Sequence, residues 1–199
     1  MDIEIINYPQ RYKSIIYQAG RNCYGFTPFE KDYAEEKMNS FIYQLIKHGH
    51  ESVLEHINIS IFIMDIPRSL MEQLTRHRLC SFSIKSTHYV KHKNFDYYDF
   101  KDVLNDQYTQ LMKKIQNLYN YYVDELKIPH WIAREILPNS CLTNIFMTTN
   151  IREYRLILKQ RLTKDNIPLM QELMRQLARN LYLIMPECFL DIIEEYDLE

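Results

Sequence analysis

Residues Arg76 to Tyr89 read RHRLCSFSIKSTHY, and no Asp or Glu between Gln73 and Phe95 offsets Arg76, Arg78, Lys85, Lys91 and Lys93. Guanidinium groups present forked donors that match phosphate oxygens, and hydroxyls such as Ser81, Ser83, Ser86 and Thr87 complete such a cradle. The stretch therefore reads as an anion site for one or more phosphates. The alternative is that Arg and His complement a helix C-terminus while the lysines face water, and the residues alone leave both open. A second cluster, HGHESVLEH (His48–His56), packs three histidines and two glutamates into nine residues. A metal reading suffers from the spacing: no HExxH pair exists, and Gly49 interrupts any helix carrying His48 and His50. Histidines that orient a loop by hydrogen bonds are the competing reading. The third cluster is NIREYRLILKQR, where Asn150 accompanies Arg152, Arg155 and Arg161. By itself Arg155 reads as a solvated helix charge, and Arg134 in AREILP is equally ambiguous alone.

Composition narrows the chemistry. The formal net charge of −2 and a pI near 6.4 exclude a surface built for a nucleic-acid polymer, so the basic stretch has a local target. The three glycines, Gly20, Gly25 and Gly49, cannot build a GxGxxG fingerprint or a P-loop, so any nucleotide is held by other means. Cys23, Cys80, Cys141 and Cys188 are far apart, without a CxxC pair, which argues against a zinc ribbon or a redox dithiol. Cys80, beside the basic cluster, is the thiol of the four best placed for a lowered pKa, but the favoured reading is a small buried apolar residue. Neither a signal peptide nor a membrane span is legible, and free cysteines suit a reducing cytoplasm.

The elements that must position these residues follow from periodicity. IEIINY is expected as a strand, YKSIIYQAGRNCY as a helix ending near Gly25, and 33–47 as a helix closed by Gly49. INISIFIMDI alternates at Ile57, Ile59, Ile61 and Ile63, a strand signal. Pro67 is expected at the first position of a helix that carries Gln73, Arg76 and His77 on one face. From Val103 to Leu126, a stripe of Leu104, Tyr108, Leu111, Ile115, Leu118, Tyr122 and Leu126 predicts a long amphipathic helix stopped by Pro129. TNIFMTTN reads as a strand, REYRLILKQR as a helix, and 167–184 as a last helix ended by Pro186. With 46% apolar residues in 199, few strands and many helices predict one α+β domain over 1–199.

Together these segments resemble the flavin-dependent thymidylate synthase family. RHR followed by Ser81, Ser86 and Tyr89 is similar to that family's RHR…Ser…Ser-x-Arg-Tyr signature, with Gln73 upstream. HGHESVLEH, AREILP and NIREYRLILKQR resemble three further family segments, in family order, from His48 to Arg161. The resemblance implies an α+β fold with a mixed or antiparallel sheet flanked by long helices. It also implies a homotetramer that assembles each active site from several subunits, with no membrane or nucleic-acid partner. The implied reaction methylates dUMP to dTMP, with methylenetetrahydrofolate as carbon donor and FAD reduced by NADPH as hydride source, without a cysteine nucleophile and without a metal.

Residue by residue, the resemblance implies that Arg76, His77, Arg78 and Leu79 hold FAD. Ser52 and Glu55 would contact it from the His-rich segment, with His50 near the flavin ring and Asn150 and Arg152 contributed by another subunit. Gln73, Lys85, Ser86, Thr87, His88 and Arg134 would bind dUMP. Arg161 would sit at the pyrimidine and favour its ionised N3. Departures from the pattern are His88 where arginine is usual, Ile84 for a frequent glutamate, Glu153 for a frequent serine and Leu156 for a frequent asparagine. They keep in view a related flavoprotein acting on another pyrimidine nucleotide, or a binding protein without turnover.

Overall fold

The computed structural model describes residues 1–25 and 33–198. Its strands are β1 (Asp2–Asn7), β2 (Asn58–Pro67), β3 (Ser81–Ile84) and β4 (Leu142–Asn150), joined in one sheet of order β1-β2-β4-β3. The helices are α1 (Tyr12–Asn22), α2 (Glu35–Lys47), α3 (Arg68–Leu74), α4 (Lys101–Asp124), α5 (His130–Ala133), α6 (Ile151–Arg161), α7 (Pro168–Ile184) and α8 (Pro186–Glu195). Short 3-10 helices cover Glu51–His56 and Arg134–Ile136. The α+β class read from the sequence is the class observed. Among the described residues no helix is long and apolar enough to cross a membrane.

The chain divides into two compact units. The first comprises Met1, Ile63–Arg76 and Phe82–Phe146; the second comprises Asp2–Phe62, His77–Ser81 and Met147–Glu199.

In the first unit, β2 carries its alternation through Ile63 to Asp65, whose φ of 53° lies in the left-handed region. There the inward face resets to Ile66 and Pro67, and Asn144 Oδ1 accepts the Asp65 amide at 3.0 Å. Pro67 caps α3 instead of occupying its first turn, because its ψ of 148° is still extended. The α3 helix stops at Leu74, where the Thr75 hydroxyl donates to the Glu72 carbonyl. Arg76 and His77 thus lie beyond the helix and do not share its face with Gln73, contrary to expectation. The long helix α4 is broken at Asn105 (φ 61°), whose side chain caps the Gln107 amide at 2.9 Å. Its buried side is Met112, Tyr119 and Val123, while Leu104, Leu111, Leu118 and Leu126 are exposed. Of the predicted stripe, Tyr108, Ile115 and Tyr122 are partly buried, with Tyr122 packed on the Tyr119 cluster, so the buried face is rotated away from the four leucines. Tyr119 faces inward because its hydroxyl accepts the buried His92 amide at 3.0 Å, and its ring packs with Val123 and Ala133.

In the second unit, Ile57, Ile59 and Ile61 are fully buried, with Ile16, Ile42, Tyr154, Leu173 and Phe189 in the same core. Acidic Glu35 and Glu36 open α2 and Lys47 closes it, as the helix dipole favours. Gly49, at φ +72°, then allows a Schellman ending: its amide bonds the Ile46 carbonyl at 3.0 Å, and that of His50 bonds Leu45 at 2.8 Å. Pro186 does more than end α7; it is the first residue of α8, a helix the sequence reading did not include.

Candidate active site

Residues 77–81 belong to the second unit and are anchored from within. The Thr149 hydroxyl donates to the Leu79 carbonyl at 3.0 Å. The His77 ring is buried, and its Nε2 accepts the Arg161 Nε–H at 3.1 Å while its Nδ1 lies 3.7 Å from Glu153 Oε1. Burial first, then the Arg161 charge, lowers the His77 pKa, and burial raises that of Glu153. The contact therefore joins a neutral imidazole to a carboxyl group and is not an ion pair. Outside this anchor, Arg78 is exposed and Leu79 is 75% exposed. The Cys80 thiol is pushed up to about 11 by burial, so it is un-ionised at neutral pH, which favours its reading as a small apolar residue over that of a readily ionised thiol.

Leu79 lines a pocket of about 560 Å³ together with Glu51, Glu55, Asn150, Arg152, Glu153 and Arg155. The side chain of Asn150 caps α6, its Oδ1 accepting the Glu153 amide at 2.9 Å. Arg152 pairs with Glu55, so two expected cofactor contacts meet each other. Ser52 lies exposed in the first turn of the 3-10 helix, and exposed His50 precedes it; the His48 ring contacts the Gln44 carbonyl. Among the described residues no group of three or more His, Cys, Asp or Glu side chains converges as a metal site requires.

Arg155 overturns the solvated-charge reading. Its side chain is 1% exposed, and its fork bonds Asp191 through both oxygens at 2.7 Å and Glu51 at 3.1 and 3.2 Å. A third direction reaches the Cys188 carbonyl. Arg155 thereby ties the His-rich segment to α8. Its i and i+4 neighbours on α6 gave no hint, because both carboxylate partners come from elsewhere in the chain.

In the first unit, Ser86 Oγ accepts the amides of His88 at 3.0 Å and Tyr89 at 3.2 Å, closing a tight turn. Arg134 Nη1 donates to Thr87 Oγ1 at 3.4 Å and its Nε to Glu135 at 3.2 Å. The exposed His88 ring stands edge-on to Tyr89, centroids 4.6 Å apart. Lys85 donates its amide to the Asn144 carbonyl at 3.2 Å. Beneath the turn lies His92, buried, with Nε2 3.4 Å from the Ser86 carbonyl; burial lowers its pKa. Sequence reasoning singled out neither His92, Glu51 nor Asp191 as a site support. Of the seven residues expected at the nucleotide, Gln73, Lys85, Ser86, Thr87, His88 and Arg134 fall in this unit, and Arg161 falls in the second. Those expected at the cofactor fall in the other, except Arg76.

Comparison with known proteins identifies the family. The family described as "Thymidylate synthase complementing protein" matches residues 4–187. A flavin-dependent thymidylate synthase of Clostridium tetani is 30% identical over 173 residues, covering 75% of this chain and 70% of the relative. A probable flavin-dependent thymidylate synthase of Mycobacterium phage D29 is 30% identical over 195 residues, covering 89% and 82%. A solved structure of the Helicobacter pylori enzyme with FAD and dUMP superposes with a TM-score of 0.80 at 23% identity, over 96% of this chain and 98% of that one. At that identity the likeness speaks for the fold, and the longer sequence matches speak for descent. The chain belongs to the flavin-dependent thymidylate synthase family.

Proposed function

We propose that this protein converts dUMP to dTMP by reductive methylation, with FAD as cofactor and NADPH and methylenetetrahydrofolate as co-substrates. The observation that carries the reading is the loop at 77–81. It is anchored from inside by His77 and Thr149, yet it leaves Arg78 outside and Leu79 in a pocket lined by Glu55, Asn150 and Arg152. An apolar side chain held rigidly outward gains nothing for folding, and it suits the face of a planar ring.

The residues fit FAD. Arg76, Arg78 and Arg152 supply cations for its phosphates, Leu79 supplies an apolar platform, and Ser52, Glu55 and Asn150 supply polar groups. His50, at the end of the Schellman turn, takes the place beside the flavin ring. The imidazole of His77 is turned inward, so its part in the cofactor site is to hold the loop. When bound, FAD supplies hydride chemistry that no side chain can provide.

The remaining steps fall to the protein's own groups. Ser86, Thr87, His88 and Arg134, with the Lys85 backbone and Gln73, hold the nucleotide; the tight turn at Ser86 fixes the backbone from Ser86 to Tyr89 before binding. Arg161 places a fixed cation at the pyrimidine and stabilises its anionic form, which activates the ring carbon without a thiol. An un-ionised Cys80 agrees with that route. The proposal extends to a cytoplasmic homotetramer whose active sites draw on several subunits, and to one catalytic domain over 1–199, supported by a family match that spans residues 4–187. Growth of a thymidine auxotroph expressing the chain tests the function. Rescue supports it; failure by a protein that is yellow with bound flavin would transfer the activity to another pyrimidine nucleotide.

A further inference from the structure

We propose that Glu153 and His77 are positioning residues, a buried relay that holds the Arg161 guanidinium in one orientation. The purpose of the relay rests on the function proposed above, which places Arg161 at the pyrimidine.

Glu153 and Arg161 lie eight residues apart on α6, roughly 12 Å along the axis, too far to touch. His77, from a different segment, bridges them. Its Nε2 accepts the Arg161 Nε–H at 3.1 Å, and its Nδ1 faces Glu153 Oε1 at 3.7 Å. Binding a guanidinium by Nε leaves the direction of the remaining N–H groups determined. Nε2 can accept only while it is unprotonated, so the neutral ring must carry its proton on Nδ1, toward Glu153. At 3.7 Å that second contact is longer than a hydrogen bond and acts as an electrostatic preference for one tautomer.

Three observations support a purpose beyond folding. Protonation of His77 would set two cations face to face, and burial and Arg161 both hold its pKa down. Glu153 is buried in the first turn of α6, where the Asn150 cap fixes its backbone. Burial raises the Glu153 pKa, so its ionised form costs folding stability as pH rises through that raised value. A carboxyl group retained at a cost to the fold marks a functional position.

The test uses the full-length protein. Nitrogen-15 NMR of the histidine rings should show His77 at pH 7 as the neutral Nδ1–H tautomer, and Glu153→Gln should shift it toward a mixture. By titration calorimetry Glu153→Gln should weaken dUMP binding about three- to tenfold, the scale of one misdirected hydrogen bond. Its thermal midpoint should equal or exceed the wild type, which a purely structural residue would not allow. In an Arg161→Met background the same substitution should change dUMP affinity by less than twofold. Glu153→Ser, measured alongside, serves if the glutamine variant does not fold. A protonated or Nε2–H ring in the wild type overturns the relay, as does a Glu153 effect of equal size with and without Arg161. If the wild type binds no dUMP, the proposed function fails, and the His77 tautomer and its response to Glu153→Gln still decide the relay.

Discussion

Arg155→Met is the most informative change for stability, because it removes one charge from a network whose members are otherwise retained. Methionine fills much of the arginine stem's volume, so the cavity contribution is small. Three losses remain. The Cys188 carbonyl loses its donor, which costs about 1–3 kcal/mol for a buried acceptor. Asp191 loses two hydrogen bonds of 2.7 Å, and Glu51 loses its bonds at 3.1 and 3.2 Å. Breaking a buried pair by removing one partner costs about 3–5 kcal/mol. Here Glu51 is 22% and Asp191 38% exposed, so water recovers part of it, and the expected total is about 3 kcal/mol. For a chain of this length that is about 6–12 °C in thermal midpoint. The pH dependence carries a second signature. Burial pushes the Asp191 carboxyl up, but hydrogen bonds and charge from Arg155 more than offset it and leave it below the ordinary range. A depressed carboxylate stabilises above its unfolded pKa of about 4 and loses that contribution as pH falls. The gap between wild type and Arg155→Met, followed by thermal melts from pH 7 to pH 3, should therefore narrow below about pH 4. A companion triple variant, Arg155→Met with Glu51→Gln and Asp191→Asn, should recover much of the loss by removing the stranded charges. A single variant within about 0.5 kcal/mol of wild type at pH 7, the scale of an ordinary surface change, would refute the reasoning.

Three further outcomes are expected. Arg78→Ala should fold normally and lose about ten- to a hundredfold in FAD affinity, the scale of one charge-assisted contact, read as flavin retained after dialysis beside the wild type. A variant lacking all four cysteines should still turn over, because the Cys80 thiol near 11 and the Cys188 thiol near 12 are un-ionised; loss of activity in folded Cys80→Ser would overturn the thiol-free route. Gly49→Ala should cost about 1 kcal/mol through its left-handed φ, and it should weaken flavin binding, because the Schellman ending places His50; unchanged melting and flavin content would count against both.

What the sequence determined by itself is local and periodic. The alternation at Ile57, Ile59, Ile61 and Ile63 names a buried strand because side chains on a strand alternate faces whatever the partner. Gly49 marks the end of α2 because a left-handed residue there is a backbone requirement. Three glycines rule out a glycine-rich phosphate loop and leave Arg76, Arg78 and the hydroxyls near them as the anion ligands, and the ordered motifs carry the family. Tertiary structure decided whatever depends on residues distant in the chain. Which side of α4 is buried rests on the His92 amide and Ala133, and no helical period reports them. Arg155 looked like a solvated charge because its partners, Glu51 and Asp191, lie 104 and 36 residues away. The inward turn of His77 is of the same kind. An RHR triplet reads as three similar polar groups, and only the meeting of Arg161 and Glu153 around the middle one separates it from its neighbours. Periodicity encodes which face an element buries when its surroundings are uniform; the identity of a buried polar partner is a long-range contact, and a linear spacing does not contain it.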